Sequence, residues 1–130
     1  MRILIAEDEK TSRELIGKIL RPYGQCDLVE NGTQAVEAFM LAWHEGPKYD
    51  LICLDIMMPE VDGHSALQGI RKMEDSEGVL IGNGVKIIMV TALSDKDNVF
   101  TAFKGLCDAY IVKPIDKAKL IKHLKDFALI

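Results

Sequence analysis

The chain has 130 residues, of which 48% are hydrophobic and 28% charged, which predicts one compact domain, residues 1–130, with a full core. A net charge of −4 argues against a surface that binds nucleic acid or anionic lipid, so a charged partner is expected to meet the acidic side chains through a cation. Three widely spaced cysteines, early acids at Glu7 and Asp8, and no apolar run of about 20 residues predict a cytoplasmic protein without a membrane anchor.

The chain alternates short apolar runs with helical patterns. The predicted strands are residues 3–6, 25–30, 51–54, 85–90 and 109–112. The predicted helices are residues 12–21, a helix from Asn31-Gly32 to about Gly46-Pro47, residues 65–73, a helix capped by Asp95 that carries Val99, Phe100 and Phe103, and a last helix that carries Leu120, Ile121, Leu124 and Phe127. Strands that alternate with helices in this way favour an α/β fold, a three-layer doubly wound parallel sheet with right-handed crossovers.

Local signals refine these boundaries. Thr11 or Ser12 can cap the first helix, and Pro22 with Gly24 ends it. The second strand is polar enough for a sheet edge. The segment 74–84 is polar and contains glycines, so it is predicted to be a loop.

Polar side chains follow four of the predicted strands at their carboxyl ends. They are Glu7 and Asp8, Asp55, Thr91 and Lys113. Because open α/β sheets bind ligands at this edge, the fold is expected to bring these groups together. Crowded carboxylates repel one another unless a cation offsets them, and Mg²⁺ suits such ligands. With the ion present, Asp55 can act as a nucleophile toward phosphorus, while Thr91 and Lys113 hold phosphoryl oxygens.

Four motifs in this order resemble those of the receiver domain of two-component response regulators, and the resemblance spans the whole chain. They are Ile-Leu-Ile-Ala-Glu7-Asp8-Glu9, Asp55-Ile-Met-Met-Pro59-Glu-Val-Asp62-Gly63, Met89-Val-Thr91-Ala92 and Tyr110-Ile-Val-Lys113-Pro114. The resemblance implies the flavodoxin-like strand order 2-1-3-4-5. The pair Glu7-Asp8 departs from the two aspartates that are commoner in the family.

The resemblance also implies roles for individual residues. Asp55 would accept a phosphoryl group from a sensor histidine kinase or a phosphotransfer protein. Mg²⁺ would be bound by Glu7, Asp8, Asp55 and the main-chain carbonyl of Met57. Thr91 and Tyr110 would form a switch pair, and Lys113 would contact the phosphoryl group and precede a cis proline. The chain would then be a phosphoacceptor switch that catalyses only its own phosphorylation and dephosphorylation, read out by a downstream effector protein and not by nucleic acid or a membrane.

Two other classes of function remain open at this stage. A phosphatase or phosphotransferase of the haloacid dehalogenase type also uses an aspartate after a strand, but it needs a second acid two residues later, where this chain has Met57. A binding module without phosphorylation is the other class. A flavodoxin-like cofactor carrier would have a hydroxyl-rich first loop in place of Glu7-Asp8-Glu9, and a degenerate receiver would have lost Asp55, Thr91 or Lys113.

Overall fold

The computed structural model describes residues 1–59, 61–92 and 106–130. Five strands form one parallel sheet: β1 (Arg2–Ala6), β2 (Gln25–Val29), β3 (Leu51–Asp55), β4 (Lys86–Thr91) and β5 (Ala109–Val112). Their order across the sheet is β2-β1-β3-β4-β5, which confirms the predicted doubly wound fold and its strand order. Each predicted strand coincides with an observed one to within about a residue at either end.

Four α-helices are described: α1 (Lys10–Leu20), α2 (Gly32–Glu45), α3 (Gly63–Ser76) and a C-terminal helix (Lys117–Asp126). A short 3₁₀ turn, Arg21–Tyr23, follows α1. None of these described helices is long and apolar enough to cross a membrane. The predicted helix that carries Val99, Phe100 and Phe103, with its Asp95 cap, lies outside the described residues.

The first helix begins at Lys10, two residues before the predicted start at residue 12. The predicted caps, Thr11 or Ser12, are also wrong. The carboxylate of Glu9 accepts hydrogen bonds from the backbone N–H groups of Thr11 at 3.1 Å and Ser12 at 3.0 Å. Glu9 is therefore the N-cap, and Thr11 and Ser12 lie within the first turn. The Ser12 hydroxyl also donates a hydrogen bond to the Glu9 carboxylate, and this bond, followed by the backbone bonds, lowers the pKa of Glu9. The acidic loop thus passes directly into α1.

The third helix also extends beyond its predicted end at residue 73. Glu74, predicted to begin a polar loop, is only 4% exposed and belongs to α3. Its carboxylate accepts hydrogen bonds from Arg71 Nη1 at 2.6 Å and from the backbone N–H of Val85 at 2.7 Å. Because Arg71 of the same helix and the Val85 N–H satisfy this charge, the helix continues through it to Ser76. The loop itself is confined to residues 77–84.

The sheet separates two hydrophobic layers. Alternate strand residues, such as Leu4 and Ile52, pack against Ala35 and Phe39 of α2 and against α3. The other set, such as Ile3, packs against α1 and the C-terminal helix. The central strand β3 is buried along its whole length, as expected for a parallel strand covered on both faces. All five strands therefore direct their carboxyl ends toward one edge of the domain.

The opposite, amino-terminal edge of the sheet is held by a compact polar cluster. The Tyr49 hydroxyl donates a hydrogen bond to Asp27 Oδ2 at 2.6 Å, and Arg2 Nη2 lies 3.2 Å from the same oxygen. The Arg2 guanidinium also lies 4.6 Å from the centre of the Tyr49 ring. Burial, together with the Asp27 carboxylate, raises the pKa of Tyr49 to about 12. This cluster joins the starts of β1, β2 and β3 away from the candidate site.

Two glycines of α3 predict opposite responses to alanine. A Cβ at Gly63 would lie 2.3 Å from the backbone oxygen of Asp55, whereas one at Gly69 would meet only the Val36 side chain at 3.6 Å. We expect Gly63→Ala to lower the free energy of unfolding by about 2 kcal/mol, because backbone must move. Gly69→Ala should raise it by about 1 kcal/mol through helix propensity. Urea denaturation of both variants measures these changes, and a Gly63→Ala protein as stable as wild type would contradict the close approach.

Candidate functional site

Four strand ends deliver their polar side chains to one place. Asp55 is the last residue of β3 and is 4% exposed, and Thr91, the last residue of β4, is also buried. Glu7 follows β1 and is fully buried, while Asp8 beside it is exposed. Lys113 follows β5. This convergence results from the parallel direction of the strands, which brings their carboxyl ends to the same edge of the sheet.

The acidic side chains lie close enough to share a cation. One carboxylate oxygen each from Glu7, Asp8 and Asp55 lies within 4.8 Å of the others. The ammonium of Lys113 enters the same cluster, with Nζ 2.6 Å from Glu7 Oε1 and 3.4 Å from Asp55 Oδ2. The lysine thus offsets part of the negative charge of two buried acids.

One positive side chain does not balance this cluster. Burial raises the pKa of Asp55 to about 8, and the Glu7 carboxylate adds to the rise while Lys113 opposes it. For Lys113, burial disfavours the charged form, but its contacts with Glu7 and Asp55 outweigh burial and raise its pKa. Asp55 is therefore partly protonated near neutral pH unless further positive charge arrives.

The donor set fits a hard divalent cation. Mg²⁺ prefers oxygen ligands and keeps several waters, and one or two carboxylates usually suffice to hold it. Here the buried Glu7 and Asp55 supply charge, and the exposed Asp8 leaves one side open to water. Met57 lies beside them, with its backbone N–H 3.3 Å from Asp55 Oδ1. The residue as a whole is 68% exposed, and its contact with Asp55 is made by the backbone.

Thr91 and Tyr110 lie on adjacent strands. The Thr91 hydroxyl donates a hydrogen bond to the backbone oxygen of Ala92 at 3.2 Å. In the ladder, Thr91 is opposite Val112, and Tyr110 is opposite Met89. Tyr110 is partly buried and packs against the core layer formed by α2 and α3. Thr91 and Tyr110, the predicted switch pair, therefore lie two residue pairs apart in one ladder, on the same face of the sheet. The peptide bond after Lys113 is cis.

One residue of the site was not found from the sequence. Arg13 Nη1 donates hydrogen bonds to the backbone oxygens of Glu7 at 2.9 Å and Asp8 at 3.4 Å. Its guanidinium also pairs with Glu30 across 3.4 Å. Arg13 therefore fixes the backbone of the acidic loop. Arg13 lies one turn into a helix that begins at residue 10, and this position could have indicated the contact. With the helix predicted to start at residue 12, the position of Arg13 in the first turn gave no such indication.

Comparisons with known proteins agree on one family. Residues 3–125 match the model of the response regulator receiver domain. The chain is 35% identical to the transcriptional regulatory protein PcoR of Escherichia coli over 128 residues, which is 95% of this chain and 50% of PcoR. It is 29% identical to the chemotaxis protein CheY of Treponema pallidum, covering 95% of this chain and 79% of CheY. The chain spans about half the length of most of the curated relatives it matches.

Solved structures point the same way. The receiver domain of the sensor histidine kinase PA1611 from Pseudomonas aeruginosa, which has a magnesium ion coordinated in its active-site cleft, is 32% identical with a TM-score of 0.75, and the match covers 97% of this chain and 95% of that one. The receiver domain of Ssk1 in complex with the histidine phosphotransfer protein Ypd1 from Saccharomyces cerevisiae has 27% identity and a TM-score of 0.81, with 98% and 88% covered. With the motifs, the strand order and the acidic cluster in agreement, the chain belongs to the family of response regulator receiver domains.

Proposed function

We propose that Asp55 accepts a phosphoryl group from a phosphohistidine of a sensor histidine kinase or a phosphotransfer protein, in a reaction that depends on Mg²⁺. The observation that carries the proposal is the convergence of the Glu7, Asp8 and Asp55 carboxylates, which lie within 4.8 Å of one another, with Lys113 Nζ 3.4 Å from Asp55 Oδ2. Such a cluster repels an anionic phosphodonor until a cation is bound. The magnesium ion in the similar PA1611 receiver and the Ypd1 complex of Ssk1 support the same chemistry.

The residues around Asp55 divide the work of the transfer. An oxygen of Asp55 attacks phosphorus as the bond from phosphorus to the histidine nitrogen breaks, and the imidazole leaves. Glu7, Asp8, Asp55 and the Met57 carbonyl would hold Mg²⁺, which when bound neutralises phosphoryl oxygens and keeps Asp55 ionised. Lys113 Nζ already lies 3.4 Å from Asp55 Oδ2 and would pair with the transferred group.

The response of the domain to phosphorylation would begin at the Thr91 hydroxyl, at the end of β4. A phosphoryl group on Asp55 adds strong acceptor oxygens close to Thr91. We propose that the Thr91 hydroxyl turns from Ala92 toward them and that Tyr110 moves into the space it leaves, which changes the surface beside β5. The domain is thus a phosphoacceptor switch that catalyses only its own phosphorylation and dephosphorylation, and a downstream protein reads the changed surface in the cytoplasm.

A phosphorylation assay tests this proposal. With a small phosphodonor such as acetyl phosphate and Mg²⁺, the intact mass should rise by one phosphoryl group in wild type. Asp55→Asn should not gain this mass, and EDTA should prevent the gain in wild type, because nucleophile or cation is missing. Asp50→Asn is the matched control, since Asp50 flanks the other end of the same strand and should be phosphorylated normally. Equal labelling of Asp55→Asn, or undiminished labelling in EDTA, would contradict the proposal.

A further inference from the structure

The loop between α3 and β4 presents an apolar tip to solvent. Leu80 is 71% exposed and Ile81 99%, and these two residues form what we call the apolar tip. Asp75 and Glu77 precede the tip and are also exposed, and no lysine or arginine occurs from residue 73 to residue 85. Two adjacent aliphatic side chains with this exposure bury little apolar surface within their own molecule. The tip is therefore an exposed apolar surface with acids on its amino-terminal side, while on its carboxyl-terminal side Lys86 Nζ lies 3.4 Å from the backbone oxygen of Gly82.

A groove of opposite charge lies elsewhere on the domain. A cavity of about 530 Å³ opens between the turn after α1 and the C-terminal helix. We call it the basic groove, and its lining residues are Tyr23, Lys117, Ala118, Ile121, Lys122 and Lys125. Its charged lining residues are all lysines, of which Lys122 pairs with Asp126 at 2.9 Å, and its other lining residues are aromatic or aliphatic. The groove thus offers apolar contact surrounded by positive charge, in a chain with a net charge of −4.

The apolar tip and the basic groove cannot meet within one molecule. The tip follows α3, whose residue Met73 packs in the core layer of α2 and α3. The groove residues Tyr23 and Ile121 pack on the other layer, with α1 and the C-terminal helix. The five-stranded sheet separates the two layers. Each surface is therefore available only to another molecule.

We propose that the apolar tip of one molecule docks into the basic groove of a second copy of this chain. Leu80 and Ile81 would cover Tyr23 and Ile121, while Asp75 and Glu77 face lysines of the groove. The apolar burial supplies the attraction, and the charges select the partner and its orientation. Because the two surfaces differ, the contact is heterologous and extends head to tail. This inference does not depend on phosphorylation of Asp55.

Sedimentation across a concentration series tests for self-association. The weight-average mass of wild type should rise above the monomer value of 14.5 kDa as protein concentration approaches about 1 mM, and the rise should shrink at high salt because the contact is partly ionic. The double variants Leu80→Ser/Ile81→Ser and Lys122→Glu/Lys125→Glu should each remain monomeric. Matched controls are Leu41→Ser, another exposed aliphatic residue, and Lys119→Glu on the same helix outside the groove. Both should associate like wild type.

Mixing the two defective variants separates a head-to-tail contact from a symmetric one. The tip variant keeps an intact groove, and the groove variant keeps an intact tip, so an equimolar mixture can form one contact and no more. We expect a 1:1 dimer of about twice 14.5 kDa that cannot extend further, because its free tip and its free groove are the substituted ones. Neither variant forms this dimer alone. A mixture that stays monomeric would overturn the proposal, and so would a wild type that remains monomeric at all concentrations. Circular dichroism of each variant verifies that it is folded.

Discussion

Replacing Arg71 with leucine is expected to lower the free energy of unfolding by about 3 to 5 kcal/mol. The guanidinium donates hydrogen bonds to the backbone oxygens of Leu106 at 2.7 Å and Val85 at 2.9 Å. It also pairs with Glu74 Oε1 at 2.6 Å and Asp108 Oδ2 at 2.9 Å. Without it, the Glu74 carboxylate, 4% exposed, keeps the Val85 N–H as its one donor among the described residues, and an unpaired buried charge is costly. Urea denaturation monitored by circular dichroism measures the loss.

Two further variants show whether burial is the cause. Lys122→Leu removes a cation from a similar helical pair with Asp126, but both side chains are exposed, so we expect a change below about 0.5 kcal/mol. The double variant Arg71→Leu/Glu74→Leu removes both charges and should recover more than half of the loss. If Arg71→Leu were no more destabilising than Lys122→Leu, the buried pair would not stabilise the junction of α3 and β4.

Asp55→Asn is expected to raise the free energy of unfolding by about 3 kcal/mol at pH 8 in metal-free protein. The folded state holds the pKa of Asp55 at about 8, against 3.8 for an ordinary aspartate. A carboxyl whose pKa is raised by folding contributes its full stability only below about pH 4, and that contribution is lost as pH rises through 8. Each unit of difference between the folded and unfolded pKa changes the free energy of unfolding by about 1.4 kcal/mol. Relaxation of the charged site is expected to reduce this destabilisation to roughly half. Asparagine preserves the volume and removes the titrating charge.

The pH dependence and the metal dependence identify the source of this gain. The difference between Asp55→Asn and wild type should shrink toward pH 4, where folding no longer changes the protonation of Asp55 substantially. At pH 8, Mg²⁺ should stabilise wild type more than the variant, because the ion meets a complete set of carboxylates only in wild type. Thermal denaturation at both pH values, with and without Mg²⁺, measures these effects. A variant no more stable than wild type at pH 8 would show that the acidic cluster does not strain the fold.

The sequence predicted the strands well because their signal is local. The run Leu51 to Leu54 is uninterrupted and apolar, which is typical of a strand covered on both faces. The positions of Asp55 and Thr91 at strand ends then followed from the parallel direction of the sheet. The strand order itself came from the resemblance to receiver domains, since the alternation of elements alone does not distinguish the possible orders.

The errors arose where a side-chain hydrogen bond, and not an apolar pattern, determines a local boundary. Glu74 was predicted to begin a loop because a charged residue is normally exposed, yet Arg71 and the Val85 N–H satisfy it in the interior. Glu9 is the cap in place of Thr11 or Ser12 because its longer side chain reaches forward to their backbone N–H groups in the first turn. The bonds from Arg13 to the acidic loop depend on the path of that loop, which no periodicity encodes.

The polar cluster of Arg2, Asp27 and Tyr49 lies at the amino-terminal edge of the sheet. Asp55 lies at the opposite, carboxyl-terminal edge. Substitutions there would change how much folded protein a cell maintains while leaving the chemistry of the opposite edge intact. Evolution can therefore adjust abundance and signalling almost independently in this domain. A thermostable variant for engineering is best sought at the edge that holds Tyr49, because improving the crowded acidic edge trades directly against its reactivity.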